Sequence, residues 1–326
     1  MKSLGVGIIG AGKHGSRYAK HAAFDVDGMH LVAVCRRNET AGRELAERLG
    51  CEFEPDATTL AKRPDVDVLV VVAVPALIEP IVEAAAQAGK HLLIEKPVAV
   101  DLETATRIAN RIEQAGIYCM AGHTLRFNTV VNAIRERVKS IGRLDTLMFS
   151  QRFPPQLQLE WLDDPALSGG GNILHTGVHC FDSLRYITGL EFDTVQCTAS
   201  SVYTKRTEDR FTAVATLRDS EAIATVSCSR TTQSRNGLIE ISGENGQLVG
   251  DHVLHRMYAI GADGMEEPPL PAARHTVPEI LRAVAEDLAS GRKPTIAYAD
   301  GVSAVAVASA CYRSIRSGNA ERVVMP

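Results

Sequence analysis

The sequence predicts two successive domains: an N-terminal α/β domain with a parallel, doubly wound sheet, then an α+β domain with a mostly antiparallel sheet. Three observations carry this. Short apolar runs alternate with amphipathic stretches through the first third. A glycine-rich turn, Gly10-Ala11-Gly12-Lys13-His14-Gly15, follows the first apolar run. After Gly122 the pattern changes to a series of period-two stretches. The expected domains are residues 1–122 and 123–326.

Strands are expected over 4–9, 30–35, 67–73, 91–94 and 117–121, with helices over 14–23, 39–49, 76–88 and 101–115. Strand–helix–strand alternation of this kind builds parallel sheets. The run Val68-Leu69-Val70-Val71-Val72 suits a central strand buried on both faces. Asp101 is placed to cap a helix start, and Gly89 and Gly116 to close helix ends. In the second domain a helix is expected over 127–140, a strand over 144–152, an irregular segment from Pro154 to Gly171, and a helix over 172–188. Strands follow over 194–204, 209–218, 221–229, 237–242 and 246–250, then a Pro- and Gly-rich loop over 261–274 and helices over 277–290 and 299–317. Phe211, Ala213, Ala215 and Leu217 alternate with Thr212, Val214 and Thr216, which gives that strand one buried and one wetter face.

The glycine turn sits between a strand and a helix, the context that a phosphate-binding GxGxxG requires. Gly10 permits the tight turn, Gly12 the approach of a pyrophosphate, and Gly15 close packing of helix on strand. Lys13 and His14 complete the turn, and Val74 and Pro75, after the third long strand, are further candidate cofactor contacts. The second strand ends in Arg36-Arg37, where an NAD site usually carries an acid on the ribose hydroxyls. Guanidinium groups pair with a 2′-phosphate, which favours NADP over NAD. Solvated surface charges, or stacking on adenine, are the other readings of these arginines.

Glu95-Lys96-Pro97 follows the apolar run His91-Leu92-Leu93-Ile94. Ligands of open α/β sheets bind at the carboxyl ends of the strands. An ammonium there can hold a substrate oxygen and stabilise an alkoxide as hydride leaves. Glu95 is read as an ion-pair partner or a ribose contact. The third signal is Gly169-Gly170-Gly171-Asn172 followed by His175, His179 and Asp182. Two imidazoles at i and i+4 share a helix face, and histidine titrates in the right range to take a hydroxyl proton. Arg126, Trp161, Asn172, His175 and His179 are candidate substrate contacts, and Arg152, Tyr203 and Arg230 could also line the pocket. An arginine-rich lining would suit an acidic sugar.

Composition narrows the partners. Hydrophobic residues make up 45% and charged residues 23%, with a formal net charge of -4. There is no basic tract, which argues against nucleic acid. The apolar stretches are too short to span a membrane. The seven cysteines include no CxxC pair, which points to a reduced, cytoplasmic setting and no zinc site.

On Gly10-Ala11-Gly12, Glu95-Lys96-Pro97, Arg126-Phe127-Asn128, Gly169-Gly170-Gly171 and Gly177-Val178-His179 with Asp182, the chain resembles the glucose–fructose oxidoreductase / inositol dehydrogenase / rhizopine-catabolism (Gfo/Idh/MocA) family. The likeness covers essentially the whole chain. It implies a Rossmann dinucleotide-binding domain, then a domain with an open, mainly antiparallel sheet whose exposed face forms a homodimer or homotetramer interface. It also implies NAD(P)-dependent oxidation of a sugar, inositol or related polyol hydroxyl, with Lys96 as the active-site lysine, His179 as the base, and a proline, Pro97, often preceded by a cis bond. Two positions depart from the pattern: His175 stands where the family often has aspartate, and Thr129 where it commonly has proline. A neutral histidine raises the basicity of its neighbours less than a carboxylate does, so His175 is expected to bind a neighbouring hydroxyl. Two other activities fit the same pattern. One is glycoside hydrolysis by transient oxidation with tightly bound NAD; the other is a dinucleotide-binding sensor without catalysis.

Overall fold

The computed structural model describes residues 3–155 and 159–326. Residues 1–2, and 156–158 of the expected irregular segment, lie outside the described residues. The chain divides into two compact units: Met1–Thr124 with His275–Val302, and Leu125–Arg274 with Ser303–Pro326.

The first unit holds β1 (Leu4–Ile9), α1 (Gly15–Phe24), β2 (Met29–Cys35), α2 (Glu39–Leu49), β3 (Glu52–Phe53), α3 (Ala57–Lys62), β4 (Val68–Val71), α4 (Ile78–Gln87), β5 (His91–Glu95), α5 (Leu102–Ala115) and β6 (Cys119–Gly122). Its sheet runs β3-β2-β1-β4-β5-β6, and every pairing is parallel. This is the doubly wound dinucleotide-binding order. Every residue of β4 is buried, as its unbroken Val-Leu-Val-Val predicts. Asn38, Asp56 and Asp101 cap α2, α3 and α5 by accepting from backbone amides in the first turn. Strand β3 and helix α3 were not expected. Two and six residues are too few to show a period.

Residues 275–302 belong with this unit, not with the second domain as the chain order suggested. Helix α9 (Thr276–Ser290) packs on α1. Tyr118 Oη donates to Asp287 at 3.1 Å, Arg282 to the Asp25 carbonyl at 3.3 Å, and Tyr298 Oη to the Val98 carbonyl at 3.3 Å. Amphipathic periodicity says that a helix buries one face; it does not say against which sheet.

The second unit holds α6 (Thr129–Arg137), β7 (Leu144–Arg152), α7 (Pro165–Ser168), α8 (Val178–Thr188), β8 (Phe192–Ser200), β9 (Arg210–Leu217), β10 (Ser220–Ser229), β11 (Asn236–Gly243), β12 (Gly246–Asp251), β13 (Arg256–Gly261), β14 (Gly264–Glu266) and β15 (Glu321–Arg322). Most of the last helix, α10 (Tyr298–Ser317), also lies here. The sheet order is β14-β13-β12-β11-β7-β10-β9-β8-β15. It is antiparallel except for β7 beside β10. Burial alternates residue by residue along β9, as its sequence pattern requires.

Three expectations change here. The expected loop over 261–274 contains β14. The strand expected over 194–204 stops at Ser200, because the Asp209 carboxylate takes the amides of Val202, Tyr203 and Thr204 and bends the chain. The helix expected over 172–188 opens as a π-helical turn, Ile173–Gly177, before α8 begins. Among the described residues no helix is long and apolar enough to cross a membrane.

Candidate functional site

In the first unit the site grows from the turn after β1. Gly10 has φ +86°, and a Cβ there would collide with the Val72 carbonyl oxygen. A Cβ on Gly15 would collide with the Gly10 carbonyl oxygen. Both glycines are demanded by the chain's own backbone. Gly12 differs: a Cβ on it would meet no atom within 4 Å. That open ground lies just before the N-terminus of α1, where backbone amides and the helix dipole favour an anion. Lys13 and His14 are exposed beside it, Val74 is half-buried, and Pro75 is buried. Past β2, Arg36 is half-buried and Arg37 exposed, and neither forms an ion pair among the described residues. Open ground at Gly12, amides at a helix start and two uncommitted guanidinium groups together fit a nicotinamide dinucleotide.

Of the two roles expected for Glu95, the structure shows the ion-pair contact, with His14. Glu95 is only 6% exposed. One oxygen accepts from Tyr18 Oη and from His14 Nε2 at 2.9 Å; the other accepts the Lys96 amide at 3.0 Å. Burial pushes this carboxyl up, but the hydrogen bond from His14, the cations of His14 and Lys96 and the Tyr18 hydroxyl outweigh it and hold it below its ordinary value. Burial and the same carboxylate drive Tyr18 well above the usual phenol range. Glu95 therefore pins the backbone of Lys96 to a residue of the glycine turn. Lys96 is half-buried, and its peptide to Pro97 is cis.

In the second unit Gly170 and Gly171 prove to be packing positions. A Cβ on Gly170 would collide with the Tyr312 hydroxyl, and one on Gly171 with the Glu208 carbonyl oxygen. The Glu208 carboxylate accepts the Ile173 amide at 2.8 Å, the Gly171 amide at 3.2 Å and Tyr312 Oη at 3.0 Å. Its own carbonyl accepts the Asn172 amide at 2.8 Å. Burial raises the Glu208 carboxyl above its ordinary value, and the two amides and the phenol offset only part of that. Thus one half-buried carboxylate clamps the start of the π turn. Such turns occur mostly as single insertions at functional sites.

His175 lies inside that turn, 7% exposed. Its Nε2–H donates to the Ser168 carbonyl at 3.1 Å, and its ring meets Trp161 edge-on at 5.3 Å. His179 is half-buried in the first turn of α8. The π turn widens the backbone at His175, so the shared face of His175 and His179 expected from α-helical spacing does not apply. Asn172, expected at the substrate, is fully buried, and its side-chain oxygen accepts the Thr176 hydroxyl. Arg126, a candidate substrate contact, is paired with Asp182. Its guanidinium grips Asp182 with Nε at 3.0 Å and a terminal nitrogen at 2.6 Å, and lies 5.0 Å over the Tyr186 ring. Tyr18, Glu208 and Tyr312 were not singled out from the sequence. Glu208 stands 35 residues from Ile173 and Tyr312 stands 141 from Gly171, so no local spacing could reveal them.

Comparison with known proteins places this geometry. A family profile described as "Oxidoreductase family, NAD-binding Rossmann fold" matches residues 4–123, and a "GFO/IDH/MocA C-terminal domain" profile matches residues 131–249. The myo-inositol 2-dehydrogenase of Thermotoga maritima is 27% identical over 98% of this chain and 99% of its own length. The 1,5-anhydro-D-fructose reductase of Ensifer adhaerens is 28% identical over 97% of this chain and 98% of its own. A crystal structure of an oxidoreductase domain protein from Kribbella flavida superimposes with a TM-score of 0.89 at 25% identity, covering 99% of this chain and 100% of that one.

Proposed function

Because this chain belongs to the Gfo/Idh/MocA oxidoreductase family, we propose that it is a dehydrogenase acting on a hydroxyl of a sugar, inositol or related polyol. The observation that carries this reading is the His14–Glu95–Lys96 linkage. It ties an ammonium at a strand's carboxyl end to the turn that faces the cofactor.

The residues Gly10 to Gly15 would hold the pyrophosphate, and Arg36 and Arg37 a 2′-phosphate, which makes NADP the preferred cofactor over NAD. When bound, the nicotinamide accepts or returns the hydride. Lys96 donates hydrogen bonds to the reacting oxygen and stabilises its negative charge. His179 takes the hydroxyl proton on oxidation and returns it on reduction. His175, donating to Ser168 and packed on Trp161, positions the π turn and need not transfer a proton. The outer sheet face exposes Val214 at 48% and Ile223 at 50%, which supports a homodimer or homotetramer built through that face. Seven free thiols suit a reducing, cytoplasmic compartment.

The test is a fluorescence titration with NADPH and NADH, then a rate screen over polyols, sugars and sugar acids. Tighter NADPH binding with turnover of one polyol class is expected. Tight binding without turnover of any of them would overturn the dehydrogenase reading. Lys96→Ala should lower kcat by about 100- to 1,000-fold, the usual loss for one oxyanion donor, while cofactor affinity holds. Unchanged kcat would remove Lys96 from the mechanism.

A further inference from the structure

Three arginines are candidates to line a substrate pocket in the second unit, and their surroundings separate them. Arg126 is committed to Asp182. Arg152 is committed to the Ser227 carbonyl at 2.6 Å, the Gln151 carbonyl at 3.1 Å and Ser227 Oγ at 3.2 Å. Arg230 is 7% exposed, and its guanidinium makes no hydrogen bond or ion pair among the described residues. Buried donors without acceptors are rare and costly, and a guanidinium cannot escape by losing its proton.

Arg230 lines a cavity of about 500 Å³ with Glu160, Tyr203, Lys205 and Arg206. That volume suits a small molecule. The other acids of the neighbourhood are already engaged. Asp163 accepts the amides of Lys205, Arg206 and Thr207. Asp209 accepts those of Val202, Tyr203 and Thr204. Glu208 is held by Gly171, Ile173 and Tyr312. Burial lowers the Arg230 guanidinium from its ordinary value, and the Glu208 and Asp209 carboxylates oppose that through space without reaching its donors. A ligand carboxylate would satisfy that planar fork bidentately. The cavity also adjoins the candidate helix, because Trp161, which meets the His175 ring, sits between the lining residues Glu160 and Leu162.

We propose that Arg230 anchors the carboxylate of an acidic sugar or polyol acid, which makes a sugar acid the substrate class of this enzyme. The proposal rests on the dehydrogenase reading above. The same chemistry could be met by a separate small carboxylate, and the experiment distinguishes the two.

With cofactor present, D-gluconate and D-galacturonate are compared with myo-inositol and D-galactose by calorimetry and by initial rates, in wild type and in Arg230→Met. A kcat/KM at least about tenfold higher for the acids is expected in wild type, with the acid-to-neutral ratio falling about a hundredfold in the variant. Competition between gluconate and the neutral polyol identifies the substrate's own carboxylate. Gluconate binding without competition identifies a separate anion and overturns the substrate assignment. Calorimetry on Arg230→Met must show the cofactor bound as in wild type; if that variant does not fold, Arg230→Lys, which keeps charge but not the fork, serves in its place and should lose most of the ratio. Turnover of neutral polyols with no acid preference would overturn the proposal and leave the dehydrogenase reading intact. Arg230-dependent binding without turnover of any sugar would do the reverse.

Discussion

The two glycine-rich turns look alike in sequence and differ in what fills them. A Cβ at Gly12 would meet no atom of the protein within 4 Å, whereas at Gly170 and Gly171 the missing side chain makes room for Tyr312 and Glu208 of the same chain. Gly237 repeats the second pattern, since a Cβ there would collide with the His252 ring. A glycine cluster thus signals a close approach, and only the surroundings tell whether a ligand or the protein itself is approaching. The Cβ direction at Gly12 is open, whereas Gly170 and Gly171 are packed against Tyr312 and Glu208 of their own unit.

The contrast can be broken at several points. Gly171→Ala forces a methyl into the Glu208 backbone and should cost roughly 3 kcal/mol or more, read as a lower urea midpoint. Unchanged stability would show that the second turn is not a filled one. Next in size is an acid effect at His252, which burial depresses to about 4, with nearby Arg235 adding to the effect and Asp251 opposing it. Below its ordinary value of 6.5 the unfolded chain takes up a proton that the folded chain refuses. Stability should therefore be level above pH 6.5 and fall by about 3 kcal/mol as pH drops toward 4. Urea midpoints across that range measure it, and His252→Gln should flatten the slope; an identical slope in the variant would exclude His252 as its source.

Gly12→Ala is the counterpart in the first unit. Its methyl meets nothing in the protein, so stability should stay within about 1 kcal/mol of wild type. NADPH affinity should nonetheless fall by about 2 kcal/mol, some thirtyfold. Loss of stability with normal cofactor binding would invert the comparison. The smallest effect is expected at the arginine pair. Arg36→Asp with Arg37→Ala should shift preference from NADPH toward NADH by about 1.4 kcal/mol, a factor of ten. Equal losses for both cofactors in a fluorescence titration would rule out a 2′-phosphate role.

Much of the first unit was legible because its signals are local. Val68–Val71 announces a strand buried on both faces, and Asp101 stands where a cap belongs. What stayed hidden is what depends on distant chain. Glu95 was read as an ion-pair partner or a ribose contact, and nothing near it in sequence revealed Tyr18 and His14 as its partners. Arg126 looked available because Asp182 lies 56 residues away. The π turn escaped because the local pattern is an ordinary helical one, and the Glu208 carboxylate that holds Gly171 and Ile173 at its start is a tertiary contact. His175 and His179 were placed on the correct element with the wrong spacing for the same reason.

The return of residues 275–302 to the first unit also has a consequence for how the chain is made. When a ribosome has delivered residues 1–124, helix α9 and the Asp287 carboxylate that receives Tyr118 are still untranslated. The first unit cannot be completed during synthesis until the whole stretch 125–274 has emerged. The unit that starts earliest finishes late, and its exposed α1 face is the surface a chaperone would meet in the interval.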